Sequence, residues 1–266
     1  MNACKKSNSA EPAKTVVTPA DTNLYVEKLN RAAVVYFGED WCPPCGTYGG
    51  PTLDSCLNKE STLLTGIKVN GSSNNTSLNC AIGSAMYGAF NTGVFGNAGT
   101  IPAMAINNAE QIIYTSVSTN YSQALTKATT FSTTSVVAAV ALRKTVEGDT
   151  ISVQTKLHFY NAIAAGSNYK LTVFVLEDNV IASQHTTTGI VNNYVYRNLV
   201  RTTNNNSSYL GLPINNSLAI VADQEFNNTY KIYLNPTWNK SNIKVEAILW
   251  KVGPTPATIV NSNVAK

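Results

Sequence analysis

The apolar positions of this chain fall into two textures. In the first half, "RAAVVYFGED" at 31–40 is a near-continuous run of β-branched and aromatic residues between polar ends, the pattern of a strand buried on both faces. Ahead of it "NLYVEKLN" at 23–30 predicts a short helix. Behind it "WCPPCGTYGGPTLDSCLNKE" predicts a helix interrupted by Gly49, Gly50 and Pro51, and so kinked. "GIKVNGSS" at 66–73 gives a second strand, and "NCAIGSAMYGAFNT" at 79–92 a second helix with Ile82, Met86 and Phe90 on one face. "GTIPAMAINNAEQIIYT" at 99–115 reads as a hairpin around Asn-Asn, and "NYSQALTKATTF" at 120–131 as a third helix. The order over residues 21–132 is strand, helix, strand, helix, strand, strand, helix.

From about residue 134 the texture changes. "TSVVAAVALRKTVEGDTISVQTKLHFYNAI", "YKLTVFVLEDNVIASQ", "TYKIYLNP" and "NIKVEAILWK" read as strands joined by Gly/Asp or Asp-Asn turns. In the last of them Ile243, Val245, Ala247 and Leu249 alternate with Lys244, Glu246 and Ile248. Several such strands with few helices predict an all-β sandwich, immunoglobulin-like or jelly-roll-like, over residues 133–255. "VNNYVYRNLVR" at 191–201 breaks the pattern as a short helix or a crossing loop, and residues 256–266 form a C-terminal tail.

Composition narrows the function classes. The 266 residues carry 19 basic and 15 acidic side chains, and charged residues are only 13% of the total, about half the usual share. Without clustered Lys and Arg there is no footprint for nucleic acid. The polar surface is built from Asn, Ser and Thr instead, in runs such as "NGSSNNTSLN" at 70–79 and "RTTNNNSSY" at 201–209, a texture common in exported bacterial proteins. No apolar stretch reaches the roughly 18 residues of a membrane-spanning helix.

At the N-terminus, "NAC" followed by two lysines looks like the cut end of a bacterial lipoprotein signal. On that reading Cys4 bears the lipid and residues 1–20 are a flexible tether; the alternative is a stray cysteine in a tail. Setting Cys4 aside leaves Cys42, Cys45, Cys56 and Cys80, two pairs for an oxidising compartment. Along a helix Cys56 would stand about 16 Å from Cys45, too far for a disulfide. Cys56 is therefore left either bridged to Cys80, closing the Asn/Ser loop, or free with it in the interior.

The first half resembles the thioredoxin fold on three features taken together: a buried strand leading into Trp41-Cys42-Pro43-Pro44-Cys45 at the start of a helix, a proline six residues past the second cysteine, and "GTIPA" ahead of the hairpin. The resemblance implies a cis Ile101–Pro102 bond facing the cysteine pair, with Trp41, Ile101 and Pro102 at the substrate edge; Trp41 has the alternative of packing on the fold. A cysteine at a helix N-terminus meets unsatisfied N–H groups, which favour the thiolate. Cys42 is thus the expected nucleophile and Cys45 the resolving thiol. A zinc site would need more ligands than this pair offers, and His158 and His185 lie in the other half. No metal and no cofactor is expected.

Two departures from thioredoxin stand out. The buried acid of that family, five positions before the tryptophan, is here Tyr36. Glu39 and Asp40 lie closer to the motif, where a negative charge raises a cysteine pKa.

The whole chain, from Cys4 through the thioredoxin-like half to "YKLTVFVLED" and "NNYVYRNLVR", resembles the 28-kilodalton outer-membrane-protein family of Bacteroidetes. The resemblance implies an outer-membrane lipoprotein of the cell envelope, with Lys5 and Lys6 favouring the periplasmic face. Two functions remain open on these residues. One is a thiol-disulfide oxidoreductase acting on protein thiols or disulfides. The other is a non-catalytic component of an envelope complex, in which Trp238, Tyr233 and the Asn-rich loops meet a protein or glycan.

Overall fold

Six buried residues, Ala32 to Phe37, form the central strand β1 (Ala32–Phe37). Successive side chains of a strand point to opposite faces, so Ala33, Val35 and Phe37 pack on one core and Ala32, Val34 and Tyr36 on another. That double burial is why the sequence here is apolar without alternation. The structure is a computed structural model that describes residues 23–95, 99–107, 110–111, 116–253 and 257–265. Cys4 and the expected tether lie outside the described residues.

Beside β1 run β2 (Leu64–Val69), parallel to it, and β3 (Ala103–Ile106), antiparallel to it, with β4 (Glu110–Gln111) outside β3. Helix α1 (Gly50–Lys59) and α3 (Val117–Ser132) cover one face, placing Leu53, Cys56, Ala124 and Ala128 on Ala32, Val34 and Tyr36. Helix α2 (Ala81–Asn91) covers the other with Ile82, Met86 and Phe90, and Phe90 stacks on Phe37 at 4.4 Å between ring centres. The element order is the one the sequence predicts for this half, strand, helix, strand, helix, strand, strand, helix. The expected helix at 23–30 is absent. Its backbone and side chains are held by distant partners: Asn30 Nδ2 donates to Thr134 O (3.0 Å), and Leu29 O accepts from Asn261 Nδ2 (2.9 Å).

The rest of the chain is β-rich: β5 (Ala138–Glu147), β6 (Thr150–Phe159), β7 (Asn168–Glu177), β8 (Val180–Thr186), β9 (Gly189–Tyr196), β10 (Leu199–Thr203), β11 (Leu212–Pro213), β12 (Gln224–Tyr233), β13 (Ile243–Val252) and β14 (Thr258–Val264). Residues 191–201, read as a helix or loop, are thus the end of β9 and the start of β10. Residues 256–266, read as a tail, contain β14.

The strands after residue 133 form two packed sheets, one of which is shared with the first half of the chain. Among the described residues one sheet runs β14-β13-β7-β10-β2-β1-β3-β4, with β11 also on β7, so it crosses from one half of the chain to the other. The join is β10 beside β2, where Lys68 N–H donates to Asn198 O at 2.7 Å. A second sheet, β12-β6-β5, packs over β7 and β13 and encloses Leu157, Phe159, Val173, Val175 and Leu249. On the reverse of β7 and β13, Phe174, Leu176, Ile248 and Trp250 join the core under α2. A continuous two-faced apolar strand such as "LTVFVL" is what lets β7 serve both cores.

Candidate functional site

After β1 the chain turns at Gly38 and the two acidic residues leave it towards the Asn/Ser loop. Glu39, fully buried, accepts through Oε1 from the N–H groups of Gly71 and Ser72 (2.9 Å each) and through Oε2 from Ser73 Oγ (2.5 Å). Asp40 accepts from Asn74 N–H and Asn75 N–H, both at 2.8 Å. The carboxylates are therefore spent on a loop, and they hold that loop where a Cys56–Cys80 bridge was expected to. Hydrogen bonds to a charged group are worth about 1.5–3 kcal/mol each. Glu39→Gln, which keeps one acceptor oxygen, is expected to cost about 2 kcal/mol in urea unfolding; an unchanged midpoint would mean the loop stands without it.

Cys42 and Cys45 form a disulfide with Cα atoms 5.2 Å apart. Cys45 N–H points at Cys42 Sγ at 3.3 Å, the helix-start donor the sequence implies. The helix opens with a wide turn over Cys45–Gly49 and continues as α1, and Pro51, which has no N–H to give the ladder, follows directly on that wide turn. Trp41 is 40% exposed beside the pair and its Nε1 donates to Ser72 O (3.2 Å). The Ile101–Pro102 bond is cis, and Ala103 next to it pairs with Phe37, so Pro102 and the cysteines sit at the same end of the sheet.

Cys56 and Cys80 are both free thiols, so the expected second bridge is not formed. Cys56 sits in the core under α1, whereas Cys80 caps α2 on the opposite face of the sheet, accepting from Gly83 N–H and donating to Val200 O, each at 3.2 Å. The sheet itself separates them. Burial pushes the Cys56 thiol up to about 12 and that of Cys80 upward.

Tyr36 stands where thioredoxin has its buried acid, and its hydroxyl donates to Cys45 O at 3.2 Å. Opposite Tyr36 on β2 is Lys68, which sequence reasoning missed. Lys68 Nζ lies 5.4, 5.7 and 4.1 Å from the ring centres of Tyr36, Tyr194 and Tyr196. Burial pulls its pKa down to about 7, opposed by the charges of Asp54, Glu39 and Asp40. The signal was available, because a lysine within a strand buried on both faces needs a special environment.

The other missed element is the β8–β9 hairpin, which lies on the motif. Gln184 shares its Nε2 protons among Glu39 O (3.1 Å), Asp40 O (3.0 Å) and Cys42 O (3.2 Å), and His185 N–H donates to Asp40 O (2.7 Å). A Cβ on Gly46 would meet His185 O at 2.4 Å, and one on Gly50 would meet the Tyr194 hydroxyl at 2.4 Å. Gly46 and Gly50, four residues apart on one helix face, are thus packing glycines that admit the hairpin. Under it Cys42 is 3% exposed and Cys45 1%. Among the described residues no group of three His, Cys, Asp or Glu side chains is placed to hold a metal ion.

No protein-family model matches this chain, and no curated protein is significantly similar to it. Solved structures share its fold. HBP35 of Porphyromonas gingivalis superposes with a TM-score of 0.69 at 14% identity, over 90% of this chain and 75% of that one. Protein AGR_C_4864 from Agrobacterium tumefaciens gives 0.52 at 12% identity, over 90% of this chain and 95% of that one. A domain of the outer membrane lipoprotein Omp28 from P. gingivalis scores 0.32 at 12% identity, over 49% of this chain and 88% of that one, too low to argue from. At these identities the likeness is one of fold.

Proposed function

We propose that the protein is a thiol-disulfide oxidoreductase of the cell envelope, held at the outer membrane by a lipid on Cys4, facing the periplasm and acting on protein thiols or disulfides. The observation that carries this reading is the Cys42–Cys45 disulfide at a helix start, with the Cys45 N–H directed at Cys42 Sγ and cis Pro102 at the same end of the sheet. A donor there stabilises the Cys42 thiolate once the bond opens.

The exchange balances without a cofactor. A substrate thiolate attacks Cys42 Sγ, the Cys42–Cys45 bond breaks, and Cys45 leaves as a thiolate that takes a proton. A second substrate thiolate then displaces Cys42 from the mixed disulfide, leaving the substrate oxidised by two electrons and the pair as two thiols. The reverse sequence reduces a substrate disulfide.

Cys42→Ser is expected to lower turnover of a fluorescent peptide disulfide, with dithiothreitol as reductant, at least 100-fold to the uncatalysed rate. Turnover equal to wild type overturns the proposal. One observation favours the second reading, an inert scaffold with the β-rich half as the binding part. A cleft of about 380 Å3 is lined by Trp238, Asn235, Asn79 and the buried Arg201–Glu177 ion pair, groups suited to a glycan or peptide. Unimpaired exchange by Cys42→Ser would favour that reading.

A further inference from the structure

Hairpin β8–β9 pairs with no other strand among the described residues. An isolated two-stranded ribbon is marginal in water, so this one is held by what it meets elsewhere: the backbone bond from His185 N–H to Asp40 O, side-chain bonds to the motif, and packing of Ala182 and Tyr196 with Leu78 and Leu199. Both of its roots turn at asparagines in the left-handed region, Asn179 with φ 57° and Asn198 with φ 54°. Its inward stripe is Ala182, Gln184 and Tyr196, while Ile181 and Ile190 on the other side are 65% and 58% exposed. The tip is tied to the helix start, where Thr187 N–H donates to Thr47 Oγ1 at 2.9 Å. The central tie is Gln184: its Nε2 reaches three carbonyls of residues 39–42, and its Oε1 accepts from the Tyr196 hydroxyl at 2.9 Å.

Attack on a disulfide needs the incoming sulfur in line with the S–S bond, and so needs room behind Cys42 Sγ. With the hairpin lying against the motif, Cys42 is only 3% exposed, and Gln184 Nε2 is bonded to its carbonyl. We propose that β8–β9 is a lid on the Cys42–Cys45 pair, that Gln184 is its latch and the positioning residue of the motif backbone, and that thiols reach Cys42 when the lid lifts. The inference rests on the redox reading only in requiring a reducible bond. It makes the β-rich half part of the redox site, and it puts control of exchange rate in a segment 140 residues away in sequence from the cysteines it covers.

The test is the rate at which dithiothreitol reduces the pair in the full chain, followed by alkylating the released thiols. One dithiothreitol thiolate attacks Cys42 and expels Cys45, and the second displaces Cys42, giving two protein thiols and the cyclic disulfide of the reagent. Gln184→Ala is expected to speed reduction at least tenfold while the equilibrium against glutathione stays within twofold, because a lid changes rates in both directions alike. A rate within twofold of wild type in a folded variant overturns the lid.

Should Gln184→Ala fail to fold, Gln184→Glu removes the same donors with the same shape and is judged by the same criterion. Hydrogen exchange on the unaltered protein is an independent measure. The amides of His185 and Thr187 are expected to exchange at least tenfold faster than those of β7; equal protection in both overturns the proposal. A pair that turns nothing over and yet reduces faster in Gln184→Ala keeps the lid and removes the redox reading.

Discussion

Glutamine in place of Glu246 is expected to raise stability at pH 8 by up to about 5 kcal/mol and to flatten the fall expected of the wild-type chain between pH 4.5 and 8. Glu246 lies on β13 at the seam between the two halves, fully enclosed, accepting from Thr65 Oγ1 (2.6 Å) and from Gly66 N–H (3.0 Å). Burial pushes its carboxyl up from 4.5 to about 8, and the bonds from Thr65 and Gly66 and the charge of Lys244 offset only part of that. Between those pH values the folded chain keeps a proton that the unfolded chain has released. The unfolded state then binds fewer protons, so stability falls as pH rises and levels off above 8. Glutamine has no proton to lose and still offers an oxygen to Gly66. Parallel urea midpoints for the two proteins from pH 5 to 9 would show that the carboxyl titrates alike in both states.

Lys68 acts with the opposite sign. Burial pulls it from 10.5 to about 7, so between those values the unfolded chain binds the extra proton and stability rises with pH. The wild-type curve should therefore have a minimum near pH 7–8, where the Glu246 limb ends and the Lys68 limb begins. Lys68→Met removes the rising limb and leaves the falling one. Above pH 9 the Cys56 thiol ionises first in the unfolded chain, because burial holds it near 12 in the fold, so the Lys68 limb is read as the difference between variant and wild type.

The sequence carried the N-terminal half well because its signals are local. A strand that is apolar on both faces, helices with one apolar stripe, and a cysteine pair ahead of Ile101-Pro102 each show in a short window. The pieces that escaped depend on distant partners. "LVRTT" becomes β10 because it lies beside β2, some 130 residues earlier, and "TIVNSNV" becomes β14 because β13 has a free edge.

The cysteine count suggested a second bridge, but it could not say on which face of the sheet each helix packs. Glu39 and Asp40 read as negative charges next to thiols, whereas their carboxylates turn away to cap the backbone of residues 71–75. Gln184 did leave a trace, as an amide on the inward phase of an alternating strand. Only the packing shows that it meets the backbone carbonyls of the motif.

Alanine at position 46 is expected to destabilise the protein by about 3 kcal/mol, the upper end for overpacking. Helix propensity alone predicts the opposite sign, a gain of up to about 1 kcal/mol for removing a glycine. Sterics win here because the new Cβ would stand 2.4 Å from His185 O and 2.6 Å from Gln184 Cγ. His185 O is backbone, and the N–H of the same residue is bonded to Asp40 O at 2.7 Å, so the strand retreats only by giving up that bond. Gly88 in α2 supplies the control within the same molecule: nothing lies within 4 Å of a Cβ built there, and Gly88→Ala is expected to stabilise by about 0.5–1 kcal/mol. Thermal unfolding of both variants separates the two effects, since one helix glycine should lower the midpoint and the other raise it. If Gly46→Ala behaved like Gly88→Ala, the hairpin would not rest on the helix that carries Cys45, and the lid proposed for the cysteine pair would lose its seat.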